Sequence, residues 1–416
     1  MDSHSPLCQI IAHRIITSPQ KRITFAEYMD MVLYHPEYGY YSSDAMKIGF
    51  RGSDFFTSAS LGADFGELLA KQFYQMWEIL DQPIHFDLVE MGAGQGILAS
   101  HVLNYIQQQY PDFFAAVKYI IVEKSQSLKR EQQQRLQDFA VDWCNLEEIP
   151  SKSINGCFFS NELVDAFPVH QFTLAAGELR EIYVTIGQQS EEENSALPFD
   201  SAQGKPIFIE IIGEPSTPQL GEYFKLVEID LSQNTYENGY RSEINLAALN
   251  WLGIVADCLE RGYVLTIDYG YPAHRYYNPR RSQGTLQCYY QHRHHDNPYI
   301  NIGQQDITAH VDFTALSSWG ERCGLKNMGW TQQGLFLMAL GIGERFTLSG
   351  VERSEVERLA ALSSQQQPIS QLLQRREGLH QLINPGGLGN FGVLVQSQGL
   401  TEQEASQPLQ GLVVPE

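Results

Sequence analysis

The chain is short of basic residues: 28 lysines and arginines stand against 49 aspartates and glutamates, a formal net charge of −21 over 416 residues. With no basic face to offset phosphate repulsion, this balance argues against a nucleic-acid partner. Cysteine is sparse as well. Cys8, Cys144, Cys157, Cys258, Cys288 and Cys323 are scattered, with no C-x-x-C pair. That spacing offers no zinc site and points to reduced thiols in a cytosol-like compartment. No apolar run approaches the ~20 residues a membrane span needs; the longest candidate, near Leu335 to Ile342, is broken by Gly341. The N-terminus lacks a signal-peptide core and carries Asp2 where a transit peptide avoids acid. A cytoplasmic, untargeted protein is therefore expected. There is no internal repeat, and the length allows one catalytic domain with substantial additions or two packed domains.

What is present centres on His85 to Ser100, HFDLVEMGAGQGILAS. Phe86 to Met91 reads as a buried strand, Gly92-Ala93-Gly94-Gln95-Gly96 as a tight turn, and Ile97 onward as a helix. Glycines at such a turn let a ligand approach backbone N–H groups near a helix N-terminus. A dinucleotide fingerprint places its third glycine one residue later to seat a pyrophosphate. Here the spacing is shorter and Glu90 precedes the turn, which suits the ammonium and sulfonium of S-adenosylmethionine better than a phosphate. Val117 to Glu123 is a second apolar run ending in an acid. In a doubly wound sheet Glu123 would lie beside the first turn, where it can accept hydrogen bonds from ribose hydroxyls.

Ala140 to Cys144 and Gly156 to Ser160 read as a third and fourth strand, and Gly262 to Gly270 as a fifth. The fourth leads into SNELVDAFPVHQF, putting Asn161, Glu162 and Asp165 at the carboxyl edge of the sheet, where open α/β proteins bind ligands. The expected fold class is α/β, a doubly wound Rossmann-like sheet with an N-terminal helical cap and an inserted α+β region. The expected divisions are residues 1–80 for the cap and lid loops, 81–270 for the core with a hairpin and polar insertion at about 170–240, and 271–416 for a substrate-side loop, helices and final strand. Helices are expected at Leu7 to Ile16, at Thr24 to Leu33 with Thr24 and Glu27 as a capping box, and at about Leu61 to Leu80. Tyr34 to Ser43, YHPEYGYYSS, reads as a rigid aromatic loop, either a lid or simple core packing. The stretch from Tyr271 to His310 shows no clear periodicity and is rich in histidine and arginine. Its His292, His294, His295 and Asp296 suggest either a polar loop or, less simply, metal ligands, and His310 either a core histidine or a site residue. No metal is expected.

Taken together, YHPEYGYY, GSDFFTSASLGADFGELLAKQ, VEMGAGQGIL, VEKSQSLKREQ, SNELVDAFPVHQF, TIDYGY, DITAHVDF and NPGGLGNFGVL occur in the order seen in the MidA-like methyltransferases, and the chain resembles that family from about Ile23 to Val395. The family includes the arginine methyltransferase that assists assembly of mitochondrial respiratory complex I. The resemblance implies a class I methyltransferase sheet with S-adenosyl-L-methionine as donor and S-adenosyl-L-homocysteine as product. It carries cofactor roles to Glu90, Gly92, Ala93, Gly94, Gly96, Glu123, Asn161 and the pair Thr57 and Ser58. It also implies a protein substrate, a subunit of a complex I-like quinone oxidoreductase; a homodimer is compatible with it. The chain departs from the family pattern at Ala59 and Ser60, at Ala93 and Gln95, and at Leu163 and Val164.

Methyl transfer from a sulfonium is an in-line displacement whose rate comes mostly from positioning. For a guanidinium acceptor, carboxylates gripping its other nitrogens orient the attacking one. Glu162 and Asp165 are expected in that role, with His310 or Asp268 completing the pocket. The alternatives are a different methyl acceptor, a non-catalytic assembly chaperone on the same fold and, more distantly, a nicotinamide oxidoreductase.

Overall fold

The computed structural model describes residues 5–42, 57–187, 206–232, 235–291, 293–348 and 366–414. The chain divides into two compact units, each gathered from three segments. One comprises residues 56–163, 252–270 and 319–416; the other, residues 1–55, 164–251 and 271–318. The sequence-based division into consecutive blocks ending at residues 80 and 270 follows the chain, whereas the units interleave along it.

The first of these units is built on a seven-stranded sheet. Its strands are β1 (Phe86–Met91), β2 (Val117–Val122), β3 (Val141–Cys144), β4 (Ile154–Asn161), β5 (Leu259–Asp268), β6 (Lys326–Gln332) and β7 (Gly392–Gln398), in the order β6-β7-β5-β4-β1-β2-β3. Strands β3, β2, β1, β4 and β5 are parallel, while β7 runs antiparallel to both β5 and β6. The chain winds outward from β1 through β2 to β3, then returns to the other side of β1 with β4. The edge between β1 and β4 is thus a topological switch point, where such sheets bind ligands. Leu88, Val89 and Glu90 are all buried, as expected of a parallel strand covered on both faces. The helix Ala63–Ile79 packs Phe65, Leu68 and Phe73 into the core, with the Phe73 and Phe159 rings 4.8 Å apart.

The five expected strands are present within a few residues. The expectation left out β6, which enters along KNMGWTQ with a register break between Asn327 and Gly329, so its periodicity is interrupted and little of it is buried. The helices Gln333–Ala339 and Ile342–Leu348 also went unforeseen.

The second unit holds the helices Ser5–Thr17 and Phe25–Tyr34, and Thr24 caps the latter by accepting from the Glu27 N–H at 3.1 Å. The expected hairpin is present as His170–Ala175 and Glu178–Ile186, turning at Ala176 and Gly177. Phe208–Gly213 and Arg241–Ile244 extend its antiparallel sheet. The expected polar insertion, residues 188–205, lies outside the described residues, as does His292. The stretch 271–310 is not structureless. It contains the helical turn Ala273–Tyr276 and a small sheet of Gln287–Tyr290, Arg293–His295 and Asp306–Thr308.

None of the six cysteines forms a disulfide. Among the described residues, no helix is long and apolar enough to cross a membrane, and no three His, Cys, Asp or Glu side chains gather as metal ligands.

Candidate active site

Strand register sets the cofactor end of the first unit. Met91 pairs with Val122 on one side and Ser160 on the other, so Gly92, Glu123 and Asn161 leave the sheet at one level. The Gly92 N–H donates to the Val122 carbonyl at 3.1 Å. Gly92, Gly94 and Gly96 all take left-handed backbone, at φ of 70°, 53° and 74°, which a side chain would resist. Their surroundings differ. A Cβ on Gly92 would meet Leu163 Cδ1 at 2.7 Å, whereas a Cβ on Gly94 would meet nothing within 4 Å. Open space over Gly94, level with the strand ends, is room for a ligand to approach the main chain.

Glu90 is buried beneath the turn and accepts from the Tyr119 hydroxyl at 2.7 Å. Burial pushes its carboxyl up to about 7, against the opposing effect of that hydrogen bond, and Glu123 adds to the rise. A buried acid poised this way is stabilised in its charged form when a cation arrives. Glu123 is also raised by burial. Its Oε1 accepts from the Ser125 N–H at 2.8 Å, and Oε2 from Gln132 Nε2 at 3.0 Å.

Gln132 was not among the sequence candidates. It is fully buried, and its amide donates both to Glu123 and to the Gly94 carbonyl, the latter at 2.8 Å, while its oxygen accepts from Trp143 Nε1 at 3.0 Å. One side chain thereby fixes the acid and the glycine turn together. The signal was readable: Leu128, Gln132 and Leu136 lie at i, i+4 and i+8, all buried, so a polar residue interrupts an apolar stripe. The same helix holds the turn at Gln95, whose side chain donates to Glu131 at 2.9 Å and whose carbonyl accepts from Arg135 Nε at 2.8 Å.

On the other side of β1, Glu162 has φ of 52°. A left-handed glutamate is uncommon and clusters at functional sites. Its Oε1 accepts from the Ser58 N–H at 3.1 Å and from Asn161 Nδ2 at 3.0 Å. Burial raises its carboxyl to about 7, those two bonds pulling the other way. The structure thus brings Ser58, Asn161 and Glu162 together. Thr57 precedes the 3₁₀ turn Ser58–Leu61 and is half-buried. Asn161 Oδ1 is buried with no hydrogen-bond partner among the described residues, an acceptor suited to an ammonium donor. Asp268, expected as part of an acceptor pocket, is fully buried and accepts from the backbone N–H groups of Leu163 and Tyr269 at 3.1 and 2.9 Å. It ties the end of β5 to the turn that carries Glu162.

Asp165 and His310 belong to the other unit. The Ala309 N–H donates to the Asp165 carbonyl at 2.9 Å, which places these two positions close together. The His310 ring lies 5.1 Å from that of Tyr271, and burial, then the nearby Arg281, lower its basicity to about 4, leaving it neutral near pH 7. The aromatic loop meets this neighbourhood. Tyr34 and Tyr41 stack at 5.4 Å, and their hydroxyls donate to the Ala166 carbonyl at 2.9 Å and to Asp306 at 2.8 Å.

A doubly wound sheet with a G-x-G-x-G turn, an acid before it and an acid closing the next strand defines a class I methyltransferase layout, and the open space over Gly94, the orphaned Asn161 oxygen and the poised Glu90 fit a cationic nucleoside cofactor. Comparison with known proteins carries this further. Residues 68–331 match the sequence profile of a family of S-adenosyl-L-methionine-dependent methyltransferases. The chain belongs to that family, and its methyl donor is S-adenosyl-L-methionine. The fruit-fly Drosophila melanogaster "Protein arginine methyltransferase NDUFAF7 homolog, mitochondrial" is 27% identical over 93% of this chain and 83% of its own length. The human protein arginine methyltransferase NDUFAF7, mitochondrial, is 26% identical over 91% and 81%. A superfamily relative from Burkholderia thailandensis, crystallised with S-adenosyl-homocysteine, is 27% identical, superposes with a TM-score of 0.77 and covers 98% of this chain and 94% of that one. The MidA-like resemblance therefore stands. The expected cytoplasmic location does not: relatives from fly, mouse and human are named as mitochondrial proteins. The acid at position 2 was a weak guide, because a single residue says little about targeting.

Proposed function

We propose that this methyltransferase transfers the methyl group to an arginine guanidinium of a protein, a subunit of a complex I-like quinone oxidoreductase during its assembly. The observation that carries the reading is Glu162: a carboxylate on strained backbone at the switch point, held by the Ser58 N–H and Asn161, is aimed by the main chain rather than by a flexible side-chain stem. The relatives' names, which specify arginine, support the acceptor class.

When bound, the cofactor supplies an electrophilic methyl on a sulfonium. Glu90 and the orphaned oxygen of Asn161 hold the methionyl end, the backbone of Gly92, Ala93, Gly94 and Gly96 lines the turn, Thr57 and Ser58 flank it, and Glu123 takes the ribose hydroxyls. Glu162 grips two guanidinium nitrogens, which turns the third toward the donor and concentrates its lone pair there. The approaching cation keeps Glu162 ionised despite burial. Asp165 and a neutral His310, which can accept a hydrogen bond without repelling the substrate, are assigned to the acceptor as further groups.

The test is Glu162→Gln. S-adenosylhomocysteine affinity by isothermal titration should hold within ~3-fold, while methylation of purified quinone oxidoreductase subunits, read by mass spectrometry, should fall ~10²–10⁴-fold. Full methylation by the variant would sink the assignment of Glu162, and a methyl group found on a residue other than arginine would sink the acceptor class.

A further inference from the structure

In the second unit, one stretch runs against the charge of the whole chain. Residues 271–295 contain no aspartate and no glutamate, yet carry Arg275, Arg280, Arg281 and Arg293, in a sequence with 49 acids. Two of these arginines converge on one ring. The Arg281 guanidinium carbon lies 4.6 Å from the centroid of Tyr271, and that of Arg275 lies 5.0 Å from it. Arg281 is locked in place, its Nη1 donating to the carbonyls of Arg275 at 2.8 Å and Tyr276 at 3.1 Å. Its Nε and Nη2 make no hydrogen bond among the described residues. No carboxylate pairs with Arg275, Arg280 or Arg281 among those residues either.

Two guanidinium groups packed against one aromatic ring repel one another, and cation–π attraction offsets only part of that. Elsewhere several arginines meet carboxylates, as Arg261 does with Glu404 at 2.5 Å. In this unit Arg241 is clamped by Glu210 at 2.9 Å. Arg281 presents ordered, forked donors, Arg275 stands exposed beside the same ring, and neither has a carboxylate partner among the described residues, an arrangement that a planar carboxylate can fill in bidentate fashion. The ring they share also carries His310, assigned above to the acceptor.

We infer that Arg275 and Arg281, packed against Tyr271, form a clamp for a carboxylate of the protein acceptor, the side chain of an aspartate or glutamate. The inference rests on the proposed protein acceptor. It makes acceptor choice depend on an acidic residue as well as on the arginine. A nucleic-acid phosphate is a poor occupant, because the rest of a chain with net charge −21 would repel the polyanion.

The test uses the full chain saturated with S-adenosylhomocysteine and two fluorescein-labelled peptides, each with a central arginine in a glycine-serine frame, one flanked by glutamates and the other by glutamines. By fluorescence anisotropy the glutamate peptide should bind ~10-fold more tightly, one charge-assisted bidentate contact. That preference should shrink at high salt, vanish in Arg275→Gln/Arg281→Gln and survive in part in Arg275→Lys/Arg281→Lys, with S-adenosylhomocysteine affinity unchanged throughout. Equal binding of the two peptides by the wild-type chain overturns the clamp, as does a preference that persists in the double glutamine variant. Displacement of the glutamate peptide by inorganic phosphate at concentrations where acetate has no effect would make this a phosphate site and also overturn it. If the double variant does not fold, Arg281→Gln alone decides. Failure of the wild-type chain to methylate any arginine would instead count against the proposed acceptor, whatever the peptides show.

Discussion

The turn after Met91 and the stretch from Tyr271 to His310 both assemble charged groups in a confined space, by opposite means. At the turn, position comes from the backbone: strand register brings Gly92, Glu123 and Asn161 level, and left-handed glycines open the main chain. In the later stretch the regular elements are short, and order comes from side chains. Tyr41 holds Asp306, Tyr271 collects Arg275, Arg281 and His310, and Thr285 donates to Glu243 from both its N–H and its hydroxyl, at 2.9 and 3.0 Å. The lesson is that the two regions should fail differently. Backbone changes should damage the first, and loss of single polar atoms the second.

The largest effect that would sharpen this contrast is expected from Glu123→Ala. Removing an acid that should accept two ribose hydroxyls costs ~1.5–3 kcal/mol per charged hydrogen bond, or at least ~10-fold in S-adenosylmethionine affinity by isothermal titration. NADH, run as a negative control, should bind neither protein. Undiminished affinity in the variant would break the placement of the cofactor. Next come the paired glycine variants. Gly92→Ala combines strain with a contact at 2.7 Å and should lower folding stability by ~1–3 kcal/mol in urea melts. Gly94→Ala has no such contact, so its stability loss should stay near ~1 kcal/mol while cofactor binding falls further than in the Gly92 variant. If the two variants behaved alike, the open space over Gly94 would not be where a ligand sits.

The effect confined to one side of neutral pH belongs to the side-chain region. Asp306 is buried, with its carboxyl raised to about 6 by desolvation and pulled back by Tyr41. Tyr41→Phe removes a donor to the ionised form, so the raised value should climb further. A raised acid stabilises the fold below its unfolded value and loses that contribution as pH rises through the folded one. The variant should therefore be ~1–2 kcal/mol less stable than the wild type at pH 8 and closer to it at pH 5. An equal loss at both values would show that Tyr41 acts through packing alone.

The same contrast explains what could be read before the structure. The glycine turn, both flanking acids and the order of five strands were legible, because each is dictated by local spacing and by the winding of a parallel sheet. Glu162 was legible as an acid at a strand end, though not its left-handed backbone. The internal order of the stretch from Tyr271 to His310 was not legible: three-residue strands carry too little periodicity, and partners such as Tyr41 and Asp306 lie 265 positions apart. Gln132 falls between these cases, a polar residue whose place in an apolar stripe was a visible clue. Asp268 shows the converse. An acid at the carboxyl end of a strand was read, as the alternative to His310, as completing the pocket, and what could not be read is that its oxygens also accept from backbone N–H groups.

One further consequence follows from β7. It lies between β5 and β6, the last strand of its sheet to leave the ribosome, yet it pairs on both sides. Until it arrives, β5 keeps an unpaired edge along Gly262 to Asp268, an invitation to association with other nascent chains. A premature stop anywhere before residue 392 would therefore do more than shorten the protein. It would release a polypeptide with every proposed cofactor residue in place and no closed sheet to hold them, suited to aggregation or degradation rather than to reduced activity.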